Sequence, residues 1–342
     1  MKRLLYILAL GTILSSCERE KGYEGPSLID QFGDFSVIDS LQVTNTNVAF
    51  AAGETSVFNA EFSKSVNWEL TITGAVSGAQ KVMSGYSRLL DEDNATWDGS
   101  TTKLPMFKSE ECSVNLQVSY KEIVADSVIS VTDSIISLAD LAVTSTKEND
   151  GFLISDFETS PNALWDLFLQ GGQMNVSSTG ASPQGNSFYD MKGTCSWDWL
   201  IGLATIPGSA YGEGTNFDLS DNPDQVYFNV LLNFPQEVQN PPIVLFNFRE
   251  DDNQDGEFTA GQEDVYSIEI KDLDPGWQLI SVNYSDLQTL ADGLPVSPVG
   301  NAVKESNKIN HIEVLFLAPQ GNGFSQAYMD YMIFTEDQPL NP

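Results

Sequence analysis

The densest chemistry in the chain lies between two apolar runs, at Glu250–Asp264, where EDDNQDGEFTAGQED carries seven acidic side chains in fifteen residues. Carboxylates that close repel one another unless a hard cation sits among them. Asp251, Asn253 and Asp255, with Gly256 for a sharp turn, have the spacing of an oxygen-ligand loop. Glu257, Glu263 and Asp264 complete the candidate ligand set. The EF-hand pattern then fails, because its twelfth position is Gln262 and the next acids come late, at Glu263 and Asp264. The flanks, Ile243–Phe248 and Val265–Ile270, alternate like strands rather than helices. The stretch is expected to be a calcium-clasped loop between two strands; a solvated acidic hairpin tip is the alternative.

A second group of residues suits uncharged, hydroxyl-rich ligands. Trp197 and Trp199 flank Asp198 in Cys195-Ser-Trp-Asp-Trp199 and, in an extended segment, project to the same side. Flat rings of this kind cover the C–H face of a pyranose. Trp165 and Tyr189 are further candidates, and each of these aromatics could instead be core, as Trp277 beside Leu279 is expected to be. Strand alternation supplies polar partners. Val226–Phe234 places Val226, Phe228, Val230, Leu232 and Phe234 inward and Asn229 outward. Val244–Arg249 places Val244, Phe246 and Phe248 inward and Asn247 and Arg249 outward; Ile309–Leu317 places Ile312, Val314 and Phe316 inward and His311 and Glu313 outward. If these strands share a sheet, Asn229, Asn247, Arg249, His311 and Glu313 line its outer face with groups able to pair with sugar hydroxyls.

The elements that must position these groups are strands almost throughout. From residue 36 to 145, Val43–Phe50, Ser56–Phe62, Val66–Thr73, Ser113–Tyr120 and Ser127–Val131 read as strands, with breaks at 51–54 and 74–78. This predicts an immunoglobulin-like sandwich. Its one unusual loop, Leu90–Ser100, offers Trp97 either to a ligand or to the core beneath. The polar run Thr144–Gly151 reads as a linker. From residue 150 to 338, strands at Gln225–Phe234, Ile243–Arg249, Val265–Lys271, Trp277–Tyr284 and Ile309–Leu317, joined by long loops, predict a β-jelly roll.

Composition narrows the partners. A formal charge of −32, from 48 acidic against 16 basic residues, disfavours nucleic acid and anionic polysaccharide. The 342 residues allow two domains with substantial cores. One histidine, and no Gly-x-Ser-x-Gly, His-Glu-x-x-His, phosphate loop or glycine-rich dinucleotide turn, leave few catalytic constellations, so a non-enzymatic protein is expected. Cys112 and Cys195 are expected to be buried thiols.

Lys2 and Arg3 precede the apolar run Leu4–Leu14, too short to span a bilayer and suited to a signal peptide. It ends in Leu14-Ser15-Ser16-Cys17, which resembles the bacterial lipobox; the resemblance implies removal of the leader and lipidation of Cys17, a stable membrane anchor. Residues 18–35 then read as a flexible tether. Its charged residues after Cys17 resemble the surface-export signals of Bacteroidetes lipoproteins, which implies the outer membrane, facing outward.

The opening Asp156-Phe-Glu158, the strand Trp277–Leu287 and the closing Tyr328-Met-Asp330-Tyr-Met-Ile-Phe look like galactose-binding-like jelly rolls of carbohydrate-binding modules. The preceding sandwich resembles PKD-type spacer domains. With the lipobox, the whole chain is similar to the surface glycan-binding lipoproteins of Bacteroidetes polysaccharide-utilisation systems, in the position of SusE- and SusF-like proteins. That resemblance implies a SusC/SusD-like transporter as partner and a structural calcium held near the first and last strands, bringing in Asp156, Glu158 and Asp330. Which acidic cluster holds metal stays open at this point. The expectation is a non-catalytic binder of a neutral glycan, with β-glucan such as laminarin or mixed-linkage glucan as the guess. An adhesive lipoprotein with a protein partner, and a glycoside hydrolase or lyase using two of the many carboxylates, are the alternatives.

Overall fold

The computed structural model describes residues 34–342 apart from 125–126, 196–198, 213, 320 and 322. The expected leader, Cys17 and nearly all of the tether therefore lie outside the described residues, as do Trp197 and Asp198. The described chain is all-β, with short 3-10 turns as its other regular structure.

The first seven strands are β1 (Val37–Val43), β2 (Asn47–Ala49), β3 (Ser56–Gly74), β4 (Gln80–Leu90), β5 (Thr96–Trp97), β6 (Glu110–Val124) and β7 (Ser127–Ser145). Their pairing order is β1-β3-β6-β7-β2, with β4 and β5 also on β3. The two strands expected at Ser56–Phe62 and Val66–Thr73 are one, because no glycine or proline interrupts the alternation of buried and outward residues along β3. Its first half pairs with β1 and β5, its second with β6, and β4 pairs with both. Lys64 falls on the inward series and is 3% exposed; its ammonium donates to the Lys121 carbonyl and sits over the Tyr120 ring. Phe35, expected in the tether, instead stacks on Tyr120 at 4.2 Å and packs on this core. Trp97 is fully buried, edge-on to Phe50 and Phe107, with its indole N–H donating to the Ser100 carbonyl.

The second unit comprises β8 (Phe152–Ser155), β9 (Asp166–Leu169), β10 (Gly172–Ser177), β11 (Phe188–Thr194), β12 (Leu200–Pro207), β13 (Val226–Asn233), β14 (Ile243–Glu250), β15 (Val265–Ile270), β16 (Gln278–Asn283), β17 (Leu290–Ala291), β18 (Leu294–Pro295), β19 (Ile309–Leu317) and β20 (Phe324–Glu336). A six-stranded sheet runs β10-β11-β20-β13-β16 with β8 on β20, and a five-stranded sheet runs β15-β14-β19-β12-β9. One continuous apolar core lies between them, with Phe228 of the first sheet against Phe246 and Phe248 of the second at ring centroid separations of 4.9 Å. The inward residues of β13, β14 and β19 are those that alternation predicts.

The sequence pattern passes over β9 to β12, and glycines interrupt the last three of these strands. Gly172 and Gly193 face each other across β10 and β11, leaving no room for a Cβ on either. Cys112 and Cys195 are buried and free, and burial pushes the Cys112 thiol up to about 12.

The outer face of the six-stranded sheet is covered. Leu231, Tyr331 and Ile333 pack with Leu340 of the segment after β20 and with Met106 of the first unit. Met106 N–H donates to the Pro183 carbonyl at 2.7 Å, and Thr101 N–H donates to the Pro342 carbonyl at 2.6 Å.

Candidate functional site

The outer face of the five-stranded sheet is open, and its register sorts the outward side chains into rows, because directly paired residues project to the same side. One row is Phe168–Leu203–Leu315–Leu245–Glu269. The next is Asp166–Thr205–Glu313–Asn247–Ser267. The third is Pro207–His311–Arg249–Val265. An apolar strip thus lies beside a polar one, and both lie across four or five strands.

The polar row is wired by hydrogen bonds. Ser267 Oγ donates to Asn247 Oδ1 at 2.8 Å, Asn247 Nδ2 donates to Glu313 Oε2 at 3.1 Å, and Arg249 pairs with Glu313 Oε1 at 2.6 Å. Glu313 is 5% exposed, so its charge is held by Arg249 and Asn247 rather than by bulk water. The Arg249 guanidinium also lies 4.7 Å from the Phe258 ring centroid. Arg249 Nε and His311 Nδ1 are buried and have no hydrogen-bond partner in the protein. Burial, reinforced by the Arg249 charge, holds the His311 imidazole below its usual range, which keeps it neutral.

At the apolar end the face deepens into a cleft of about 480 Å³ lined by Trp199, Leu245, Glu269, Leu290, Asp292, Gly293 and Leu317. Trp199 is 49% exposed there, an indole offered to solvent on one wall. The opposite wall is the β17–β18 hairpin, whose two central residues, Asp292 and Gly293, both have positive φ, at 52° and 73°. That is the conformation of a tight two-residue hairpin turn, and Asp-Gly is the sequence that adopts it. A Cβ on Gly293 would lie 3.1 Å from Glu269 Oε2, so the turn sits directly over that carboxylate. The hairpin is tied to β15 by paired backbone hydrogen bonds between Ser267 and Gln288.

Four of the five polar residues expected on one face, Asn247, Arg249, His311 and Glu313, are there together. Asn229 is not. It lies on β13 in the other sheet, fully buried, donating to Thr335 Oγ1 and the Tyr227 carbonyl and accepting from Ser281 Oγ and Leu340 N–H. Trp165 and Tyr189 also leave the list of platforms. Tyr189 is 2% exposed and stacked on Phe157, while Trp165 packs against the same core with its N–H on Tyr211 Oη at 3.0 Å. Trp277 is half-buried, with its N–H on the Ala181 carbonyl. Phe168, Leu203, Glu269 and Asp292 were not anticipated; the Asp-Gly pair at 292–293 was the one local signal that marked a wall.

The acidic stretch divides in two. Its outer part caps its own backbone: Asp251 accepts from the N–H groups of Asp255 and Gly256, Asn253 from Asp255, Asp255 from Glu257, and Glu263 from Asn253 and Thr259. Asp251, Asn253, Asp255 and Glu263 thus accept backbone N–H groups within the turn, and neither they nor Glu257 belong to the group of carboxylates whose oxygens converge. The oxygens that do gather belong to Glu250, Asp252 and Asp264, within 4.8 Å of one another. Among the described residues this is the one such trio. Burial pushes Glu250 up to about 8 and also raises Asp252.

Asp156, Glu158 and Asp330 form no trio either. Asp156 accepts from Glu158 N–H, Glu158 from the N–H groups of Asn186 and Ser187, and Asp330 from Tyr331 N–H and Ser182 Oγ. Asp330 is fully buried, and burial pushes it up to about 8.

No family model matches the chain, and no curated protein matches it. Among solved structures, a family 11 carbohydrate-binding module from Clostridium thermocellum, in complex with a β-1,3-1,4-mixed-linked tetrasaccharide, aligns over 54% of this chain and 94% of its own at 12% identity and a TM-score of 0.35. A structure described as the basis for promiscuous specificity of carbohydrate-binding modules from the β-sandwich superfamily aligns over 90% and 99% at 11% identity and a TM-score of 0.37. A family 30 carbohydrate-binding module aligns over 55% and 99% at 11% identity and a TM-score of 0.38. Likenesses of that size fix no ligand, and the open face stands on its own geometry.

Proposed function

We propose that the chain is a non-catalytic polysaccharide-binding protein that lays a neutral glycan across the outer face of its five-stranded sheet. One observation carries this reading: an exposed indole and an apolar strip lie on the same face as a row of polar side chains, Ser267, Asn247 and Glu313, that hydrogen bonds and the Arg249 ion pair hold in place. Sugars need both surfaces at once, a flat apolar one for C–H groups and planar polar ones for hydroxyls. The acidic balance of the chain and the carboxylates Glu269, Asp292 and Glu313 on the face favour an uncharged ligand, with β-glucan first in line. The lipobox-like Cys17 supports a lipid anchor in the outer membrane, outward-facing, where a SusC/SusD-like transporter is the partner in keeping with it.

Affinity electrophoresis of residues 27–342 against laminarin, mixed-linkage glucan and anionic polysaccharides tests the central claim. Retardation by a neutral glucan, lost in Trp199→Ala, is the expected result; no retardation by any polysaccharide sinks it. Membrane fractionation of the full chain against Cys17→Ala tests the anchor.

A protein partner is the second reading. It is favoured by the exposed apolar residues Leu294, Val296, Val299 and Val303 at and beyond the hairpin. Pull-down of an outer-membrane protein without glycan retention would favour it. For a hydrolase, the carboxyls with raised pKa, Glu250, Asp252 and Asp330, do not line the cleft beside Trp199, where an acid catalyst would be needed.

A further inference from the structure

We propose that Glu250, Asp252 and Asp264 form a site for a divalent cation of calcium size, which keeps Asp264 from the ligand set that the spacing of the acidic stretch suggests and replaces the others. Their nearest carboxylate oxygens lie within 4.8 Å of one another, about the span across a calcium coordination sphere with bonds of roughly 2.3–2.6 Å. Crowded carboxylates alone would not make a site. Here Glu250 is 0% exposed and its Oε2 has no hydrogen-bond partner, and the buried Asp252 Oδ1 has none either. Two acceptors buried without donors are costly, and a hard cation satisfies both together.

The remaining oxygens are held in place for this. Glu250 Oε1 accepts from Tyr284 Oη at 2.8 Å and Glu305 N–H at 2.7 Å. Asp264 accepts from Gly300 and Ala302 N–H, each at 2.7 Å, and Asp252 Oδ2 from Asp264 and Asn301 N–H. Four chain segments thus aim the trio without neutralising it. The nearby cations are engaged elsewhere: Lys304 Nζ donates to the Ser285 carbonyl over the Tyr266 ring, and Lys308 Nζ to Glu305 and the Asp252 carbonyl.

A cation at this point would cross-link the end of β14, the start of β15 and the 300–305 segment. Glu250 directly follows Arg249, which faces the opposite side of the sheet, so the site would also fix the Arg249 end of the open face. The assignment does not depend on any glycan being bound.

Terbium luminescence excited through tyrosine tests it on residues 27–342, since Tyr284 and Tyr266 both contact the trio's carboxylates. Expected are a saturable signal displaced by calcium at concentrations where magnesium has little effect, and a melting temperature raised by roughly 5 °C or more at calcium a hundredfold above its Kd. Asp252→Asn should abolish the signal and Asp255→Asn should retain it. Absence of a signal, together with a melt identical in calcium and chelator, overturns the proposal; so does loss of the signal in Asp255→Asn with retention in Asp252→Asn. The wild-type melt decides the matter should Asp252→Asn not fold. Glycan retention is read separately, so its failure leaves the cation result standing.

Discussion

Asn229 and Asn247 occupy matching places on the two sheets of one sandwich. Each sits mid-strand between core residues, in Phe228-Asn-Val230 and Phe246-Asn-Phe248, and the phenylalanines of the two strands meet in the core between them. Their fates differ because of what covers them. Over Asn229 lie the segment reaching Leu340 and the first unit, so the amide is fully buried and every hydrogen bond is internal. Asn247 is half-buried on the face that Trp199 and the hairpin border, and its amide joins the polar row between Ser267 and Glu313. A polar side chain at the centre of a sheet is therefore structural or ligand-facing according to the layer above it, and strand alternation cannot see that layer.

The comparison can be broken most sharply at Asn229. Asn229→Ala strands the Ser281 hydroxyl and the Leu340 N–H and removes the donor to Thr335 Oγ1, which should cost on the order of 2–4 kcal/mol in a denaturant melt. Glycan retention below the melting temperature should persist; loss of binding with no loss of stability would show that Asn229 faces ligand after all. Trp199→Ala should do the reverse, lowering glucan affinity roughly tenfold in calorimetry while stability stays within about 0.5 kcal/mol. Glu313→Gln falls between them. It leaves Arg249 without its counter-charge, and because Arg249 is partly solvated the stability cost should be roughly 1–2 kcal/mol, with a several-fold loss of affinity.

The smallest effect concerns pH. The folded-state pKa of His311 lies below the ordinary value of 6.5, so on acidification the unfolded chain takes up this proton first. The His311 contribution to stability is thus complete above about 6.5 and declines as pH falls toward the lower folded value. Urea melts from pH 8 to pH 5 should show a slope that His311→Gln reduces, and glucan affinity should hold steady from pH 8 to about 6.5.

The strands around the open face were legible because they alternate without interruption: β19 runs over Ile309–Leu317 as expected, and β14 extends its expected range by one residue. The fold class, all-β, followed from the same pattern. β10 to β12 were not legible, since glycines placed for close backbone approach erase alternation, and β9 is four exposed residues with no alternation to read. Arg249, Glu313, His311 and Asn247 could be assigned to an outer face from the sequence; their sharing of one sheet could not, and Asn229 shows the cost of assuming it. The acidic stretch misled in a specific way. Spacing picks out residues that could ligate, but backbone N–H groups in a tight loop compete for the same oxygens. Asp251 and Glu263 went to the backbone, leaving Glu250 and Asp252, one at the end of a strand and the other just beyond it, with oxygens unspent.

The segment beyond β20 has a mechanical consequence. Leu340 is bonded to Asn229 in the six-stranded sheet, and Pro342 is bonded to Thr101 in the first unit. A pull on a long polymer held by the five-stranded sheet would pass through the phenylalanine core to β13, and from there along a five-residue strap, 338–342, and the Met106–Pro183 contact into the first unit. Traction on the ligand would load hydrogen bonds at both ends of that strap together, so the joint between the units would resist as a clamp and not swing as a hinge.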